Sequence, residues 1–364
     1  MLTVNIILFL GLILAISIFA MRGKVSYSLS LVLLILVSLF ASLIIAQRPT
    51  NEDFMVQNDT AHYNNFFNCI RENRAGGCEN VVIQMPPNEL MIGAITRVLT
   101  SLGFDNATIF FSIAFLFCIA CIAFIRPLGN LMPLAFSLIL TTPIFWELTS
   151  AAMRASLSIS FFLLLVSVLL KKNQSRYKKI GLYCGGALSH SSFFIYTPLF
   201  FLYKQFSVRT LFVLFIAGLV LSSILTKLLF GFSDLLWSGS VIANKLMFYV
   251  RNSSGIGLMN YIYVIGKMNI LVICYLYFAS LTIKSIWFLS AFKILLLILI
   301  GGSLLGDTNF VYRVINGYEI LMIPLLIFTV KVKSQFSGYL LFVYSAYKIY
   351  MFDYFYESYI RFFI

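Results

Sequence analysis

Of 364 residues, 61% are hydrophobic and only 11% carry charge, a balance that excludes a soluble domain and points to an all-α polytopic membrane protein whose spans each need about 20 apolar residues. The formal net charge of +13 would suit nucleic acid, but the cations stand in short clusters between apolar runs. They are therefore read as topology signals, and no nucleic-acid partner is expected.

Residues 2–20 read as a retained first span, because no basic stretch precedes them and no small-residue cleavage site follows. Arg22 and Lys24 then put the first loop inside and the N-terminus outside. Residues 27–46 return outward. Residues 47–87 form the long polar outer loop, too long for a plain connector. Its Cys69 and Cys78 are free to form a disulfide if the loop faces an oxidising compartment. Residues 88–103 have apolar positions at helical spacing, but Glu89 and Arg97 suit an amphipathic helix lying on the outer interface better than a span. Residues 107–125 cross inward to Arg126, and 128–146 cross back.

Residues 151–170 run inward to Lys171, Lys172, Arg176, Lys178 and Lys179, the strongest inside signal in the chain. Counting backward from Lys331 and Lys333, 315–330 runs inward, 306–313 is outside and 286–305 runs outward from Lys284. Residues 258–283 run inward, 231–257 are outside, and 210–230 start inside beside Lys204 and Arg209. Both ends of 180–203 then lie inside. Those residues are too few to cross twice, so a short or re-entrant hairpin turning near Ser189, His190, Ser191 and Ser192 is expected, with Gly185 and Gly186 letting its arms approach. A last span at 335–351 and an aromatic tail complete one membrane domain of about 10–12 segments without internal repeats.

This topology gathers Asp59, His62, Arg154, His190 and Arg313 on the outer side. Each has an ordinary reading. Arg154 snorkels from its helix, His190 holds the hairpin, Arg313 anchors at the interface, Asp59 closes a loop turn and His62 is solvated. Two histidines without HxxxH or HExxH spacing, and spans poor in carboxylates, give no metal site. No GxSxG elbow supports a nucleophilic serine. Arginines beside an apolar surface do match an anionic lipid head group, because the guanidinium is a planar fork that keeps its charge.

The ordered set Asn58-Asp59-Thr60-Ala61-His62-Tyr63, Met153-Arg154-Ala155-Ser156-Leu157, Ala187-Leu188-Ser189-His190-Ser191-Ser192 and Tyr312-Arg313-Val314, followed by Tyr318 and Pro324, resembles the EpsG-like, O-antigen-polymerase (Wzy) type of bacterial polysaccharide polymerase. The family often has glycine where this chain has Asn58. The resemblance implies a metal-independent glycosyltransferase of GT-C-like fold, needing no cofactor and facing the periplasm from the inner membrane. It would join undecaprenyl-diphosphate-linked oligosaccharide repeat units, beside a flippase and a chain-length regulator. It assigns diphosphate binding to Arg154 and Arg313, general base or phosphate contact to His190, and acceptor positioning or base to Asp59. A lipid-linked oligosaccharide flippase, an O-antigen ligase or a polyprenyl-phosphate-dependent transferase are the alternatives.

Overall fold

The computed structural model describes residues 26–47, 60–72, 78, 90–150, 152–171, 175–190, 193–237, 265–303, 317–332 and 334–355. The expected first span at 2–20, Asp59, Arg313, Ser191, Ser192, most of the outer loop at 231–257 and the tail beyond 355 lie outside the described residues. Among the described residues every regular element is helical, and the chain is an all-α polytopic membrane protein. Three stretches are long and apolar enough to cross a bilayer unaided, namely Tyr27–Ala46, Asn106–Leu140 and Ile286–Ser303; a bent pair brings the number to four. The described residues fall into two compact units, 1–193 with 345–364, and 194–344.

In the first unit, α1 (Tyr27–Ala46) packs on α4 (Asn106–Ile125), and α4 in turn on α7 (Met153–Leu169). Two serines inside α1 satisfy themselves on the preceding turn: the Ser38 and Ser42 hydroxyls donate to Leu34 O (2.8 Å) and Ser38 O (2.7 Å), so both enter the core paired, whereas the buried Ser30 hydroxyl has no hydrogen-bond partner among the described residues. Asp105 caps α4, its Oδ1 accepting from the Thr108 amide (2.8 Å) and hydroxyl (2.6 Å). Those two bonds hold its carboxyl below the ordinary value of 3.8. The cap therefore adds stability above the ordinary carboxylate pKa and loses it as pH falls through the depressed one; the group is largely exposed, so the effect is small.

At the far end of the same helix Arg126 Nε donates to Tyr27 Oη (2.7 Å). Tyr27 opens α1 and Arg126 follows α4, so the two helices are antiparallel and this pair marks one end of the unit.

The expected span at 128–146 is broken, which corrects the sequence reading. A 3-10 turn, Arg126–Leu131, with Gly129 at φ 62°, leads into α5 (Met132–Leu140), and a separate α6 (Pro143–Ser150) follows. Hydropathy does not register the cause. Pro143 disfavours helix at Thr142 and suits the first turn of a new helix. Thr141 and Thr142 hydroxyls turn back onto Leu138 O and Ile139 O, and Trp146 Nε1 donates to the freed Leu140 O (2.8 Å).

Beyond α7 the chain returns as α8 (Arg176–Ser189). His190 leaves the helix in extended backbone (φ −160°, ψ 138°), so the chain does break where the sequence placed a turn. Gly186 lets the arms approach as expected, since a Cβ there would clash with the Phe193 ring of α9 (Phe193–Tyr196), whereas Gly185 faces α7, where a Cβ would meet the Phe161 ring at 2.5 Å.

In the second unit α13 (Ile286–Ser303) is central, packed by α10 (Leu199–Gln205), α11 (Val208–Trp237) and α14 (Tyr318–Val332); α12 (Lys267–Ser280) lies on α14. A bend of 120° separates α10 from α11, at Phe206 and Ser207, where the sequence reading placed only an inner loop.

Gly186→Ala is expected to lower the midpoint of thermal unfolding in detergent, because the Phe193 ring is buried and edge-packed on Tyr183 and overpacking costs about 1–3 kcal/mol. Gly301→Ala, where no atom stands within 4 Å of the new Cβ, should leave the midpoint unchanged or raise it slightly.

Candidate active site

The site grows from a helix inside the long polar loop. Residues 60–71 put Tyr63, Phe66, Phe67 and Ile70 on one face and Asn64, Asn68 and Arg71 on another, spacing that makes an amphipathic helix; the structure forms it as α2 (Thr60–Arg71). Its apolar face joins Ile92 of α3 (Met91–Ser101), Ile109, Phe110 and Ile113 of α4, and Met153 and Leu157 of α7 in one buried cluster. Tyr63, Phe66 and Phe67 are buried there. At 11 residues, α3 spans about 16 Å, too short to cross a bilayer, and its Ile92, Gly93 and Thr96 are buried while Arg97 is exposed.

Two further links fix α2. Cys69 and Cys78 form a disulfide with their Cα atoms 5.8 Å apart. Asn106, the first residue of α4, gives its amide hydrogens to Asn64 Oδ1 and Asn68 Oδ1 (both 2.7 Å) and accepts from Arg71 Nη2 (2.7 Å). Arg71 also reaches Phe104 O (3.3 Å). One amide thus ties three side chains of α2 to the mouth of α4.

Arg154 sits in the first turn of α7 and is partly buried. Its Nε donates to Tyr63 Oη (3.3 Å), so the helix held by the disulfide also holds the guanidinium. His190 stands at the same end. Phe161 lies eight residues before the end of α7 and Gly185 nine after the start of α8; their contact makes the two helices antiparallel. That register sets Ser156 level with His190 and Arg154 within about a turn of both. Ser156 is fully buried and its hydroxyl has no hydrogen-bond partner among the described residues.

A cation, an imidazole and a buried hydroxyl therefore share one end of the first unit. The opposite end carries Arg126, Lys171, Arg176, Lys178 and Lys179. Of the expected site residues, Arg154 and His190 belong to this unit. His62 is exposed on α2. Asp59, immediately before α2, and Arg313 lie outside the described residues. Among the described residues no group of three or more His, Cys, Asp or Glu is placed to hold a metal.

A family model described as the EpsG family matches residues 31–363. The chain belongs to the EpsG family. No curated protein and no solved structure matches it. The match spans both units, so this EpsG-family chain is a membrane protein of a polysaccharide-related, polymerase-like kind over nearly its whole length.

Sequence reasoning missed α2 and the asparagine lock of this EpsG-family protein, although Asn64, Asn68 and Arg71 recur at helical spacing. It also missed a polar centre in the second unit. There Asn269 Nδ2 lies within donating distance of Ile265 O (2.8 Å), Tyr318 Oη (2.5 Å) and Glu319 Oε1 (2.7 Å), and the Tyr318 hydroxyl donates to Ile265 O (2.7 Å). A lone Asn in an apolar helix was the available signal.

Thiol counting checks the disulfide. Denatured without reductant, the protein should take up four maleimides, one on each of Cys118, Cys121, Cys184 and Cys274, and after reduction six, the full cysteine count. Six before reduction would contradict the strut.

Proposed function

We propose that this protein joins lipid-linked oligosaccharide repeat units at the outer face of the bacterial inner membrane, as a polysaccharide polymerase acting on undecaprenyl-diphosphate carriers. The observation that carries the reading is Arg154, held by Tyr63 at the disulfide-bearing end of the first unit with His190 at the same end. A disulfide persists in an oxidising compartment, and a lysine-rich end favours the cytoplasm. Both support the same orientation.

The chemistry needs little more than this end offers. A hydroxyl oxygen of one unit attacks the anomeric carbon of another, the carbon–oxygen bond to the diphosphate breaks, and the diphosphate leaves with the bonding electrons on its carrier. Negative charge develops on the leaving group, which Arg154 and Arg313 stabilise as guanidinium forks. The hydroxyl proton passes to His190, whose imidazole accepts it as general base. Asp59 orients the acceptor hydroxyl. Arginine charge takes the place that a divalent cation fills in other phosphate-leaving reactions, so the reaction is metal-independent. A flippase supplies the units and a chain-length regulator sets product size.

Arg154→Lys keeps the charge and loses the fork. With equal protein in the membrane, it should cut long surface glycan by at least about tenfold, the loss of one charge-assisted hydrogen bond worth roughly 1.5–3 kcal/mol, while single units still reach the outer face. His190→Ala should do the same. An unchanged glycan ladder would contradict both assignments, and absence of even a single outer unit would move the function to flipping.

A further inference from the structure

A groove of about 400 Å³ opens between α3, α4 and α7, lined by Ala94, Ile95, Val98 and Leu99 of α3, by Ser112 and Leu116 of α4, and by Leu157 of α7. Its one hydroxyl is already engaged, since Ser112 Oγ donates to Thr108 O at 2.7 Å. Nothing in the lining can recognise a sugar; only hydrocarbon gains by entering. The volume lies at the small end of ligand clefts, roughly 300–1,000 Å³, so the groove takes a length of chain and not a whole lipid.

Its position relative to charge names the occupant. Ser112 and Leu116 lie roughly 10 and 16 Å down α4 from the Asp105 cap, so the groove runs from the polar end of the unit toward the middle of the bundle. Leu157 shares a face of α7 with Arg154, one turn nearer that polar end, and helical side chains lean toward their N-terminus. Arg97, one turn from Ala94 on α3, is a second, exposed cation beside the groove. Cations toward the polar end and hydrocarbon below complement an amphiphile with a multiply charged head.

We propose that this groove holds the isoprenoid segment adjoining the diphosphate of the carrier lipid, with Arg154 on the head group. The proposal rests on the polymerase reading for the identity of the head group and adds the place where its chain lies. Seating the first isoprenoid units fixes the diphosphate against Arg154, and the remainder of the chain continues into the bilayer.

The test uses the full-length protein in detergent, with radiolabelled farnesyl diphosphate and inorganic diphosphate as probes. Ala94 is exposed, so Ala94→Phe fills the groove without entering the core. It should weaken farnesyl diphosphate about tenfold and leave inorganic diphosphate unchanged, while Arg154→Ala weakens both. Equal farnesyl diphosphate affinity in Ala94→Phe and wild type would overturn the proposal. So would displacement of the probe by phosphatidylglycerol as effectively as by unlabelled farnesyl diphosphate, since the occupant would then be ordinary membrane lipid. Selective loss of the prenyl probe in a protein that forms no polymer would remove the polymerase reading and keep the groove; retained probe affinity with intact polymer formation would do the reverse.

Discussion

A guanidinium in the first turn of a membrane helix must be kept near water and given a fixed direction, because a cation drawn to mid-bilayer costs about 2.5–3.5 kcal/mol on insertion scales. The Tyr63 hydroxyl accepting from Arg154 supplies direction, and much of the first unit exists to hold Tyr63 still. Its ring is buried in a cluster fed by four helices. The disulfide closes the far end of α2, and Asn106 locks the polar face to α4. Rigid support of this kind is what a group needs if it is to meet charge as it develops on a leaving diphosphate, since preorganised donors do not have to reorient during reaction.

The same packing sorts charge between two ends. Tyr27 and Arg126 meet at one end, while Asp105, Arg71, the disulfide and Arg154 gather at the other. The short return through α8 brings His190 to Arg154 and leaves Lys171, Arg176, Lys178 and Lys179 opposite. That separation keeps the lysine-rich end away from Arg154, the cation proposed to bind substrate, and Gly185 permits the close α7–α8 contact that fixes the register between Arg154 and His190.

Long uniform apolar runs were readable directly from the sequence. The helix over 27–46 matches to the residue, that expected at 107–125 starts one residue earlier, and that expected at 286–305 starts at Ile286 and is helical through Ser303, the last described residue there. Membrane spanning imposes length and hydropathy, and both are written in composition. The broken return at 128–146 was not readable that way, because Pro143, two threonine hydroxyls and Trp146 decide it through backbone hydrogen bonds. The 120° bend at Phe206 and Ser207 was missed for a similar reason. Arg154 and His190 stood out as rare polar groups in apolar surroundings. Tyr63 stood out only as part of a motif, and Asn106, Asn64 and Asn68 not at all, since their value arises from pairing across about 40 residues of chain.

The most direct test of the account is reconstitution. Purified protein in proteoliposomes, given only a polyprenyl-diphosphate-linked repeat unit on the side of the disulfide-bearing end, should convert it to dimers and longer chains with release of one carrier diphosphate per bond formed. A unit that stays single, or that only changes leaflet, would contradict the claim that Arg154 and His190 form a glycosyl-transfer site.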